Sequence, residues 1–79
     1  MYTHQQSYDF GHNYGVSLYP KISPSDAALI AFGMTNVTLV QQAERDNAPL
    51  MPHVVKSEFF RGFTVGLMTA TKHHGKMIV

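Results

Sequence analysis

The sequence predicts an all-α fold, and three observations carry that prediction. Proline-bearing breaks at Tyr19-Pro20-Lys21-Ile22-Ser23-Pro24 and Asp46-Asn47-Ala48-Pro49-Leu50-Met51-Pro52 divide the 79 residues into three stretches. Within the second and third stretches apolar residues recur three and four apart, the period of a helix that buries one face. Glycine pairs at the same spacing, Gly11 with Gly15 and Gly62 with Gly66, lie among aromatic residues toward the two ends. We expect one domain over residues 1–79, with helices near 5–18, 24–45 and 53–74. They would pack as a compact three-helix bundle, or as a helical hairpin with a packed N-terminal arm, in a monomer or a dimer.

The first element rests on Tyr8, Gly11, Gly15 and Leu18, which share a helical face, with Phe10 and Tyr14 on the next stripe. Two glycines, an Asn and an Asp make it a poor helix in isolation, so tertiary packing must hold it. Its rival is an extended or hairpin-like arm, because Gly11-His12-Asn13-Tyr14-Gly15 also fits turn chemistry.

The second element opens with a strong start signal. Ser23 can cap, Pro24 suits the first helical position, and Asp26 stands where a capping-box acid would. Leu29, Phe32, Asn36, Leu39 and Ala43 keep helical spacing, with Ile30, Met34 and Val37 on the adjoining stripe. Thr35 to Val40 is rich in β-branched residues and would suit a strand after a break at Gly33. One long helix is the preferred reading.

Pro52 opens the third element, and Glu58 complements its N-terminus. Lys72, His73 and His74 crowd the opposite end, and Gly75 offers a left-handed stop. Val55, Phe59, Gly62, Phe63, Gly66, Leu67 and Ala70 form one continuous face, with Phe60 beside it.

Composition narrows the function classes. Hydrophobic residues at 44% support a core, while charged residues are only 14%, against about 25% in ordinary soluble domains. So charge-poor a surface points to a partner surface or a subunit interface. The net charge of +1 carries no electrostatic signature for nucleic acid or an anionic membrane. Without cysteine there is no disulfide framework or thiolate zinc site. The polar N-terminus does not read as a signal peptide, and Ala27 to Met34 is too short to cross a bilayer. A cytoplasmic protein without membrane contact is the expectation. Asn36-Val37-Thr38 matches a glycosylation sequon, read as coincidence in that setting.

Each glycine in a helix interior costs about 1 kcal/mol relative to alanine, so four at this spacing imply a return in packing or function. They suit a close helix crossing within the chain, or a groove that admits a partner's backbone. The first and third stretches also resemble one another around them, Tyr8 with Phe59 and Val16 with Leu67. His4, His12, His53, His73 and His74 raise the question of metal, and Asp9 and His12 are three apart. No second pair of that kind exists, and adjacent His73 and His74 point to different faces, so neither metal nor another cofactor is expected.

No nucleophile elbow, phosphate loop or paired-carboxylate motif is present, and no enzyme is expected. Lys56, Arg61, Lys72, His73, His74 and Lys76 gather positive charge in the last third, which makes a small DNA- or RNA-binding regulator the alternative. Phe59, Phe60, Phe63 and Leu67 argue against it, because they stand where base-reading side chains would. A structural or metal-assisted homo-oligomer is the third reading. Nine Phe and Tyr residues and five Met exceed what a small helical core readily hides, so Tyr2, Tyr8, Tyr14, Tyr19 and Phe60 are contact candidates.

The expected function is that of a small non-catalytic protein-binding module. It would occupy a surface on a larger host protein or complex, as inhibitor, adaptor or accessory subunit. The expected partner-binding set is Tyr8, Gly11, Tyr14, Gly15, Phe60, Arg61, Gly62 and Gly66. Compact, charge-poor chains of this length are typical of phage and mobile-element accessory proteins, an analogy of type alone.

Overall fold

The first helix begins with a reciprocal cap. Thr3 Oγ1 accepts the Gln6 N–H at 3.0 Å, and Gln6 Oε1 accepts the Thr3 N–H at 2.9 Å, satisfying two donors that a helix start leaves open. From there α1 runs His4–Leu18, so this stretch is helix rather than an extended arm. The structure, a computed structural model, describes residues 1–34 and 36–72, and the final helix carries the bounds Lys56–Ile78. The roles expected of His73, His74 and Gly75 lie outside the described residues.

Pro20 sets a 3₁₀ turn, Tyr19–Lys21, and Ser23 then caps α2, Pro24–Ala31, by accepting the Asp26 N–H at 3.2 Å. The single helix expected near 24–45 is two helices. Gly33 takes φ 78°, a left-handed conformation open to glycine because it has no Cβ. The Gly33 N–H bonds the Ile30 carbonyl at 2.8 Å and the Met34 N–H bonds the Leu29 carbonyl at 3.0 Å. That pair of bonds is a Schellman stop. Asn36 starts again with α3, Val37–Asp46, its Oδ1 accepting the Thr38 N–H at 2.9 Å.

Asp26 does not complete a capping box. Its carboxylate accepts the Asn36 Nδ2 at 3.0 Å and pins the corner between the two helices. Residues 37–40 are helical, which excludes the strand reading there; Thr35 lies outside the described residues. The break also redistributes the expected face. Ile30, Leu39 and Ala43 are buried, whereas Leu29 and Phe32 are turned outward.

Asn47 ends α3, its buried amide donating to the Ala43 carbonyl at 2.9 Å. Pro52 lies in a second 3₁₀ turn, Met51–His53, and does not open the last helix. That helix, α4, starts later at Lys56, with the Val55 carbonyl accepting the Phe59 N–H at 2.9 Å. Val55 gives its own N–H to Ser7 Oγ of α1 at 2.9 Å. Among the described residues the fold is therefore all-helical, with four α-helices where three were expected.

Phe59, Phe63 and Leu67 of α4 form the centre of the core, fully buried. Leu18, Ile30, Leu39, Ala43, Met51 and Val54 close around them. Full burial of side chains this size contributes about 1.5–3 kcal/mol each. α4 thus supplies the core, and α1 lies directly against it.

Candidate functional site: the glycine crossing and its rim

α1 and α4 run parallel, in contact along the glycine rows. A Cβ built on Gly11 would overlap the Phe59 carbonyl, and one on Gly15 would come 2.5 Å from the Phe63 oxygen. Reciprocally, a Cβ on Gly62 would overlap the Tyr8 carbonyl, and one on Gly66 the His12 carbonyl. Each glycine therefore faces the carbonyl three residues before its counterpart. One constant offset pairs Tyr8 with Phe59, Gly11 with Gly62, His12 with Phe63 and Gly15 with Gly66. The crossing has local two-fold character, which is the physical content of the likeness between the two stretches. Backbones this close leave room only for hydrogen, and weak Cα–H···O contacts accompany such approaches.

All four glycines of the expected partner-binding set are buried in this crossing. Its other members form a graded rim. Tyr14 is half-buried, its ring 5.7 Å from that of Phe63 and 6.5 Å from that of Phe59. Its hydroxyl donates to the Asp46 carboxylate at 2.5 Å, tying α1 to α3. Burial first, then that hydrogen bond and the negative charge behind it, push the Tyr14 pKa well above its ordinary value. Phe60 is half-buried and meets Phe59 edge to face, centroids 5.1 Å apart. Tyr2 and Tyr19, the remaining contact candidates, also pack half-buried against the core.

Arg61 is the exposed member, and it lies over half-buried Tyr8. The guanidinium carbon lies 4.8 Å above the Tyr8 ring centroid, within cation–π range. Arg61 Nε and Nη2 donate to the two oxygens of Glu58 at 3.1 and 2.8 Å. This fork holds the Glu58 carboxyl below its ordinary range and raises Arg61, chiefly through the hydrogen bonds. Even so, the Arg61 side chain stays 64% exposed. A guanidinium is thus fixed in place over a half-buried ring while still open to solvent.

Two features escaped the sequence reading. Ser7 is fully buried and supplies the acceptor for Val55; its hydroxyl is what lets a loop N–H pack under α1. Phe32, Met34 and Val37 stand exposed at the α2–α3 corner, a consequence of the left-handed Gly33. Asp9, paired in sequence with His12, instead accepts from Gln5 Nε2 at 2.8 Å. Among the described residues no three acidic or histidine side chains gather as a metal site, and no pocket opens. Asn36 has both side-chain amide atoms engaged, so a glycan on its Nδ2 would disturb the bond to Asp26 that pins the α2–α3 corner.

Fold and site together define a small all-helical protein organised on a parallel, glycine-mediated helix pair with a half-buried aromatic rim. Comparison of the chain with protein-family models, curated proteins and solved structures gives no match.

Proposed function

We propose that this chain is a non-catalytic protein-binding module that occupies a surface on a larger protein, as an inhibitor, adaptor or accessory subunit. The observation that carries the reading is the Tyr8–Arg61–Glu58 assembly. Tyr and Arg are the side chains over-represented where binding energy concentrates. A free Arg loses up to about 2 kcal/mol of rotamer freedom on docking. Here Glu58 and the Tyr8 ring have already restricted the side chain, which lowers the cost of binding. The Glu58 carboxylate also occupies one edge of the guanidinium. That disfavours phosphate as the ligand and with it the nucleic-acid alternative.

The test is capture from the host cell by the wild-type chain and by Arg61→Ala and Tyr8→Ala variants, each checked for unchanged helicity. A protein retained by the wild type should bind each variant about thirtyfold more weakly, the effect of losing roughly 2 kcal/mol at a hot spot. Retention undiminished in both variants removes the site. A captured species released by nuclease or moderate salt refutes the protein-binding reading.

A further inference from the structure

The α2–α3 corner presents apolar side chains that its local backbone cannot cover. The left-handed Gly33 reverses the chain and leaves Phe32 83%, Met34 58%, Val37 69% and Leu29 36% exposed. On ordinary residue areas these four expose roughly 400 Å², the size of the largest apolar patch on a typical monomer and often a functional one.

Charge and area indicate what covers it. The run from Ala27 to Ala43 contains no Asp, Glu, Lys, Arg or His. In a two-fold contact each side chain near the axis lies close to its own copy, so any charge there would oppose itself. An uncharged run avoids that conflict. The uncharged exposed polar residues on the same two helices, Ser25, Thr38 and Gln41, both donate and accept, so they can bond to their own copies; the exposed charges of α3, Glu44, Arg45 and Asp46, are confined to its C-terminal end. A standard interface buries about 800 Å² on each partner, somewhat over half of it non-polar, and the corner supplies close to that apolar share. The glycine rows cannot serve the purpose, because α1 and α4 have used them on each other.

We infer that the corner formed by Leu29, Phe32, Met34 and Val37 is a self-association face. Two copies of the chain meet there across a two-fold axis running beside Phe32. The face uses none of the rim residues, so, on the proposed binding role, a dimer carries two copies of that rim.

The experiment is sedimentation equilibrium of the wild type, Phe32→Asp, Phe32→Lys and an equal mixture of the two variants. Phe32 is exposed in the monomer, so both variants should keep the helicity of the wild type. The expected result is a dimer for the wild type and dimerisation weakened by about a hundredfold or more in each variant alone. The mixture should recover a heterodimer, because Asp then faces Lys. A wild type that stays monomeric up to about millimolar concentration overturns the inference. So do variants that dimerise like the wild type, a mixture that shows no recovery, or a monomer whose corner proves necessary for holding a different protein.

Discussion

Changing Gly62 to alanine places two opposing energies on one methyl group. In an isolated helix the change is favourable by about 1 kcal/mol. In the crossing the new Cβ would sit 2.9 Å from the Tyr8 carbonyl carbon and 3.0 Å from the His12 amide nitrogen, with the Tyr8 oxygen nearer still. These are helix backbone atoms, so no rotamer change relieves the overlap. Non-bonded carbons settle at about 3.5–4.0 Å, so the two helices must part by roughly 1 Å, and a gap of that order forfeits up to about half of each dispersion contact it opens. Phe59, Phe63 and Leu67, fully buried beside the crossing, bear that loss.

Overpacking ordinarily costs about 1–3 kcal/mol. With backbone resisting on both sides the upper figure applies, leaving a net destabilisation of about 2 kcal/mol after the helix-propensity gain. A domain of this length holds about 4–12 kcal/mol in all, so the shift is readily measured by urea unfolding followed through helical circular dichroism. Gly11→Ala should behave alike. The double variant should cost less than the sum of the two, because the helices need to separate only once. A Gly62→Ala protein as stable as the wild type, or more stable, would show the propensity term unopposed and refute the close crossing.

Ser7→Ala removes the acceptor of the Val55 N–H in a fully buried place and should cost about 1–3 kcal/mol in the same unfolding assay. A loss below a few tenths would show that the Val55 N–H finds another acceptor. Tyr14 links stability to alkaline pH. Its folded pKa is raised above the ordinary 10.0, so above that pH the unfolded chain releases a proton that the folded chain keeps. The contribution is complete below about pH 10 and is lost as pH rises through the folded value. Tyr14→Phe should cost about 1 kcal/mol at neutral pH and flatten the fall in urea midpoint above pH 10; an equal fall in both proteins would defeat the assignment.

How far the structure was legible depends on the range over which each signal acts. Phe59, Gly62, Phe63, Gly66, Leu67 and Ala70 could be read as one buried face because helical period alone specifies it. For α1 the decisive signal is local: Thr3-His4-Gln5-Gln6 matches the capping-box pattern, which separates helix from arm where the glycines and apolar spacing do not. The break at Gly33 is different in kind. Apolar spacing continues across it, and whether a glycine sits inside a helix or ends one depends on the backbone sign it adopts. That sign is set here by the Asp26–Asn36 bond and by what Ile30 and Leu39 can bury.

Pro52 misled for a similar reason, since a proline suits the first turn of a 3₁₀ segment as well as that of an α-helix. At the site, the glycine rows were visible but their parallel pairing was not. The partners of Ser7 and Tyr14, Val55 and Asp46, lie far along the chain, and only the assembled core brings them near.

The parallel pairing of α1 with α4 also sets an order on synthesis. A chain leaving the ribosome exposes α1 early, yet the surface that shields its glycine row belongs to α4, made after α2 and α3. Until Phe59, Phe63 and Leu67 have emerged there is no core to dock against, and α1 alone is too poor a helix to persist. α2 and α3 can form meanwhile, but they have only each other to cover Ile30 and Leu39. The α1–α4 contact thus joins segments far apart in sequence, the arrangement for which loop closure is slowest to be repaid. A nascent chain of this protein stays open to proteases and chaperones until α4 is free, and a cut at the α2–α3 corner before then separates two parts that each lack the other's wall.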